Sequence, residues 1–310
     1  MKKQIFSTMA ITIFAFVMTS CQLKKPQSKD ETQSSQSVKA VVTDGLRFCE
    51  STYPYQDGLL IASFGTEQLN PLNTEGKGYI SFYKDGNVHT LISTDGNLSA
   101  PKGMFVRDNY LFICDVNKLV VYNLQARDEA PQIIHFPEGN LFVNDLAANG
   151  DTLYASVTNS NKIFALDISK PETVGTPVEW VNIPGPNGLI IDNDTMYVAS
   201  YPADGNTTDA NVIYQISDLS NPIPEKFVTT PGQYDGIALS KDKKTMYITN
   251  WSPAQIAAID CQTKKIIPLN IQLTQPLVGP ADITIVDEML YIPDLPNSRV
   301  VTYSLNAAKR

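Results

Sequence analysis

The chain alternates short apolar runs rich in Val, Ile, Leu and Tyr with polar turns built on Gly, Asn and Asp, the pattern of consecutive β-strands joined by hairpins. One phrase recurs: a small polar pair, an apolar strand, a polar turn, then a second strand built on Leu/Met-Tyr-Val/Ile. It appears as Val143-Asn144-Asp145-Leu146 with Thr152-Leu153-Tyr154-Ala155, and as Pro186-Asn187-Gly188-Leu189 with Thr195-Met196-Tyr197-Val198. It returns as Tyr234-Asp235-Gly236-Ile237 with Thr245-Met246-Tyr247-Ile248, and as Pro280-Ala281-Asp282-Ile283 with Met289-Leu290-Tyr291-Ile292. An earlier copy is Pro101-Lys102-Gly103-Met104 with Tyr110-Leu111-Phe112-Ile113, and a degenerate one opens at Glu50–Tyr55. These later copies sit roughly 42 to 48 residues apart, the spacing of four-stranded propeller blades.

A third strand follows each pair, as in Lys162–Ile168 and Gln255–Cys261, and a weaker fourth follows most. The last repeat runs out of chain after its third strand, while Val38–Phe48 has strand character and no partner of its own. The prediction is an all-β, six-bladed β-propeller over 38–310, closed by its N-terminal strand. A β-sandwich with a second domain would leave the regular spacing unexplained.

The first residues predict export. Lys2 and Lys3 precede an apolar run from Ile5 to Val17, too short to span a bilayer comfortably. Met18-Thr19-Ser20-Cys21 resembles a bacterial lipobox, which implies a signal peptide over 1–20 and a membrane anchor through acylated Cys21. Residues 21–37 are too polar to bury a core and are expected to form a flexible tether, leaving a monomeric protein on the periplasmic or cell surface side of a membrane. The remaining cysteines, Cys49, Cys114 and Cys261, lie far apart with no CxxC spacing, so neither a disulfide scaffold nor a structural zinc site is expected. A net charge of −8, more negative once Lys2 and Lys3 are removed, argues against a nucleic-acid partner.

In a propeller the first strand of each blade lines the central channel. The residues at the strand starts are Glu50, Lys102, Asn144, Asn187, Asp235 and Ala281, with Asp282 beside the last. Two carboxylates and two carboxamides supply only hard oxygen atoms, which suits Ca²⁺, less well Mg²⁺ or Mn²⁺, and disfavours zinc and copper. Glu50 and Asp235 would balance one dication, and four protein oxygens would leave positions for water or substrate. The competing view is local: Asn and Asp at strand starts also fold over their own turns.

Pro186-Asn187-Gly188, Asn144-Asp145 and Asp235-Gly236 resemble the calcium-binding phrases of the senescence-marker-protein and gluconolactonase family, whose arrangement the paraoxonases share. Glu50 stands eight positions before Gly58, as the family's Glu stands before its turn glycine. The resemblance covers essentially the whole mature domain. It implies Glu50, Asn144, Asn187 and Asp235 as ligands of one Ca²⁺, and Ca²⁺-dependent hydrolysis of lactones or related esters, with Asp235 and Lys102 as catalytic candidates. The chain departs from the paraoxonase version, which relies on a histidine pair near the pore. Lys102 holds the axial position here, Val116 is its neighbour, and the two histidines, His89 and His135, fall in predicted outer strands.

Long loops at Thr66–Gly76 and Tyr201–Ala210 are expected to wall a small-molecule pocket, with Asp115, Asp145, Trp251 and Asp282 as further candidates. Lys102 is expected to need an anionic neighbour, Asp145 or Asp282. Two functions follow from the same residues: a hydrolase, or a calcium-stabilised propeller that binds a ligand or protein without chemistry.

Overall fold

Six antiparallel four-stranded sheets follow one another along residues 40–308, the part of the chain that the computed structural model describes. Blade 1 is built from Cys49–Tyr55, Gly58–Ser63, Tyr79–Lys84 and Asn87–Ile92, paired in that order. Blades 2 to 5 repeat the meander, and their inner strands are Pro101–Arg107, Val143–Asn149, Pro186–Asp192 and Tyr234–Leu239. Blade 6 runs Thr284–Val286, Met289–Asp294 and Arg299–Ser304, and its outermost strand is Val41–Thr43 from the start of the domain. The register is Val41 opposite Thr302, Val42 opposite Val301 and Thr43 opposite Val300. The predicted ring closure is therefore present, through a strand shorter than the 38–48 segment expected. Closure pairs an edge that would otherwise be open to another chain. The expected signal peptide, the Cys21 anchor and the expected tether lie outside the described residues.

Local chemistry explains the strands. Asp85 and Gly86, at φ 48° and 82°, form a tight left-handed turn between the last two strands of blade 1. Second strands such as Thr152–Val157 are buried at five successive positions, because neighbouring blades cover both faces. Fourth strands at the rim are more exposed, as in Asn87–Ile92, and Gln132–His135 alternates. His89 and His135 stand exposed on such outer strands.

The core is a ring of seams between blades. Leu60, Ile80 and Met104 join blades 1 and 2, Phe112, Leu146 and Phe164 join blades 2 and 3, and Ile163, Met196 and Ile216 join blades 3 and 4. Ile213 with Ile248, Tyr247 with Ile292, and Ile61 with Val300 complete the circuit. Each buried Leu, Ile or Phe contributes about 1.5–3 kcal/mol, so these seams rather than the exposed hairpins hold the ring together. Cys49 and Cys114 are buried free thiols, and Cys261 is half-buried and free.

Candidate metal centre on the propeller axis

The inner strands do not enter the channel as regular strands. In blades 1 to 5 the pairing with the second strand slips at the start: Val143 faces Val157 but Leu146 faces Ala155, and Pro186 faces Ser200 but Leu189 faces Val198. The same slip lies between Cys49 and Ser51, Pro101 and Met104, and Tyr234 and Ile237. Glu50, Lys102-Gly103, Asn144-Asp145, Asn187-Gly188 and Asp235-Gly236 therefore sit inside β-bulges. A bulge re-aims its side chains. Blade 6 has the equivalent irregularity at Ala281–Ile283, between the Pro280–Asp294 bridge and the Thr284–Tyr291 pair. The recurring small polar pair of the sequence is this bulge.

The second bulge position explains the glycines. A Cβ on Gly236 would lie 2.6 Å from the Ile283 nitrogen and 2.7 Å from the Asp282 Cα. One on Gly103 would meet Asp145, 2.6 Å from its Cα. Each blade's bulge thus packs directly on the next. Hydroxyls stitch them: Ser156 Oγ accepts from the Asp145 N–H at 2.9 Å and donates to the Asn187 carbonyl at 2.6 Å. Thr249 Oγ1 does the same between the Gly236 N–H (2.7 Å) and the Ala281 carbonyl (2.9 Å).

Asp145 and Asp282 occupy this second position on opposite blades and act as stitches themselves. Asp145 accepts N–H groups from Leu146 (2.7 Å) and, across the blade boundary, from Leu189 (2.6 Å). Asp282 accepts the Ile283 N–H at 2.8 Å and the Ser51 hydroxyl at 2.9 Å.

The first bulge position is different. Glu50 Oε2, Asn144 Oδ1, Asn187 Oδ1 and Asp235 Oδ1 are buried and have no hydrogen-bond partner. Their residues are 4 %, 2 %, 2 % and 7 % exposed. A buried polar atom without a partner costs about 1–3 kcal/mol, and here four such atoms come from the axial position of four blades. Among the described residues no three His, Cys, Asp or Glu side chains form a metal-binding group; this set mixes two carboxylates with two amides. Hard oxygens with unused lone pairs fit Ca²⁺ by donor chemistry.

Burial and mutual repulsion weigh on the acids of the axis. Burial pushes the Glu50 carboxyl well above the usual range, and the charges of Asp235 and Asp282 push it further. Asp235 is raised to about 8 by burial and by Asp282. Asp282 is raised to about 7 by burial, against the hydrogen bonds from Ser51 and Ile283. Asp145 is raised by burial and by Asp282.

Lys102 is 1 % exposed, and its ammonium donates to the carbonyls of Ala100 at 2.9 Å and Pro71 at 3.1 Å. The rings of Phe142 and Phe64 lie 5.0 Å and 5.7 Å from it. Neither Asp145 nor Asp282 pairs with it, contrary to the sequence expectation: carbonyl dipoles and aromatic faces take that role. Burial lowers its pKa, opposed by the charges of Glu50 and Asp115. Pro71 belongs to the long Thr66–Gly76 loop, which Asn73 ties to the Ser99 carbonyl at 3.0 Å.

Asp115 does not face open space. It accepts the Ser99 and Ala100 N–H groups at 3.0 Å and 2.6 Å and lies 3.5 Å from Lys118 Nζ, holding the turn that leads into Lys102. Trp251 packs half-buried against an apolar cluster of Phe64, Ala100, Val116, Ala281 and Leu295. Phe64, Val116, Tyr201, Trp251 and Leu295 each follow the last residue of a second strand, and all but Tyr201 pack together as an apolar collar. Tyr201 belongs beside the acids, its hydroxyl raised to about 12 by burial and by Asp235. Phe64, Phe142 and Tyr201 escaped the sequence reading. The available signal was their position just after, or just before, the repeating phrase.

A ring of six blades with bulged, oxygen-bearing inner strands defines a six-bladed β-propeller with one polar axial site. No family model matches the chain, and no curated protein matches it. Among solved structures, it is similar to a structural genomics protein of unknown function from Bacteroides thetaiotaomicron. The two share 14 % identity, with a TM-score of 0.57 over 84 % of this chain and 72 % of that one. At that identity the likeness shows the fold alone.

Proposed function

We propose that this chain is a calcium-dependent hydrolase of the gluconolactonase-like class, exported and anchored to the cell envelope through Cys21, that opens lactones or related esters of small polar molecules. The observation that carries the proposal is the set of four unpartnered buried oxygens on Glu50, Asn144, Asn187 and Asp235. They would hold the ion and leave part of the 6 to 8 oxygen positions of Ca²⁺ to water and substrate. Bound there, Ca²⁺ would supply Lewis-acid polarisation of a carbonyl oxygen.

The chain's own groups do the rest. Asp235 is the most exposed of the four at 7 % and is the carboxylate on which a proton from an attacking water would be taken up. Lys102 has two of its three N–H groups committed to carbonyls, so the third is the donor available to a substrate oxygen. The collar of Phe64, Val116, Trp251 and Leu295 would restrict water at the site. The exposed outer-strand histidines take no part.

A second reading is favoured by the burial of the same oxygens: with at most 7 % exposure the ion would pin four blades together and the protein would bind without turnover. Lactone opening followed by pH-stat, with δ-gluconolactone and γ-butyrolactone as probes, separates the two. Turnover that needs Ca²⁺ and is lost in Asp235→Asn supports the hydrolase. Tight Ca²⁺ binding without turnover supports the pinned binding module, and absence of Ca²⁺ binding by calorimetry would overturn both.

A further inference from the structure

Beyond the bulges the axial channel continues into a cavity of about 320 Å³ lined by all six inner strands. We propose that this cavity is a second binding site, separate from the calcium ligands, that takes a small primary ammonium carrying an apolar body.

Its walls are hydrocarbon: Met104, Leu146, Leu189, Ile237 and Ile283 surround it, and half-exposed residues such as Ala148, Ile191 and Ile285 mark its solvent end. At the inner end stand Asp145 and Asp282, from opposite blades, the only charged residues of the lining. Each carboxylate accepts two hydrogen bonds from its own stitches, which leaves about two of its roughly four lone-pair sites unused. Thr52 also lines the cavity, is 2 % exposed, and its hydroxyl has no partner. Two acids and an unsatisfied hydroxyl at the bottom of an apolar tube call for a donor group with positive charge.

An ammonium fits this end better than a metal. It brings three N–H donors, and the two carboxylates keep acceptor sites for it, with Thr52 in the wall beside them. A calcium ion needs 6 to 8 oxygens, and past the acids the walls supply carbon. The hydrocarbon walls then cover an alkyl or aryl body, and a cavity at the small end of the 300–1,000 Å³ range for ligand pockets selects a small one. Anions are excluded because no Lys, Arg or His belongs to the lining.

Calorimetric titration of the mature chain with n-butylammonium chloride, against n-butanol and butyrate, tests the site. Butylammonium should bind at least about tenfold more tightly than n-butanol, and butyrate should not bind. One equivalent of calcium should leave the probe bound, because the axial ligands belong to a different layer. Asp282→Asn should remove most of the preference for the ammonium. Pro54→Trp, at the exposed rim of the cavity and outside every core seam, should block the probe while unfolding temperature and calcium affinity stay near the parent's, so a folding failure of the Asp282 variant does not decide the matter. Equal affinity for butylammonium and n-butanol, undiminished binding in Pro54→Trp, or displacement of the probe by a second equivalent of calcium would overturn the proposal.

Discussion

Stripping divalent cations should make this protein lose stability as pH rises from about 5 to about 7, and calcium should cancel part of that loss. Asp235 is raised from 3.8 to about 8 in the folded chain, Asp282 from 3.8 to about 7, and Glu50 well above its ordinary 4.5. Unfolded, the same groups ionise near their ordinary values. Between those values and the raised ones the folded state holds protons that the unfolded state has released, so stability is full at low pH and falls as pH climbs. The slope is about 1.4 kcal/mol per pH unit per group. Asp235 alone then contributes a loss of about 3 kcal/mol across two pH units, and at about 2 °C per kcal/mol for a domain of this size that lowers Tm by about 6 °C.

Calcium binds the ionised forms, so Glu50 and Asp235 would give up their protons and the ion's stabilisation should grow with pH. Thermal unfolding by circular dichroism at pH 5, 6 and 7, in chelator and in millimolar CaCl₂, reads both effects. The two Tm curves should diverge as pH rises. A chelated protein with a flat profile, or two parallel curves, would refute the reasoning.

Asn187→Ala should weaken Ca²⁺ binding by tenfold or more, about 1.4 kcal/mol; calorimetry showing unchanged affinity removes Asn187 from the ligand set. Gly236→Ala forces a Cβ to within 2.7 Å of the Asp282 Cα and should cost about 1–3 kcal/mol in urea unfolding, as overpacking does. Lys102→Met removes a buried positive charge beside Glu50, so calcium affinity should rise while kcat/KM collapses; full activity in a folded variant would take Lys102 out of the site. Cys21→Ser should move the protein from the membrane fraction to the soluble one, and retention in the membrane would rule out the lipid anchor.

Six blades, their order and their closure by the N-terminal strand were legible in the chain, because a repeat that must bury both faces of its second strand leaves the same apolar phrase every time, as in Thr152–Val157. The six axial positions followed from that register. Spacing named Glu50, Lys102, Asn144, Asn187, Asp235 and Ala281, since the start of every inner strand meets one axis, while the choice of four of them as metal ligands rested on donor chemistry and on a resemblance. What the chain could not disclose is how each polar group is spent. Asn144 and Asp145 are neighbours of similar chemistry, yet the bulge leaves the Asn144 oxygen free and commits both Asp145 oxygens to backbone N–H groups of two blades. Only the Ala100 carbonyl that holds the Lys102 ammonium is a chain neighbour; the other carbonyl comes from Pro71, 31 positions away, and the rings from Phe64 and Phe142. Hydrogen-bond satisfaction is a property of three-dimensional neighbours, so only the tertiary structure could separate the oxygens left without any partner from those that already join two blades.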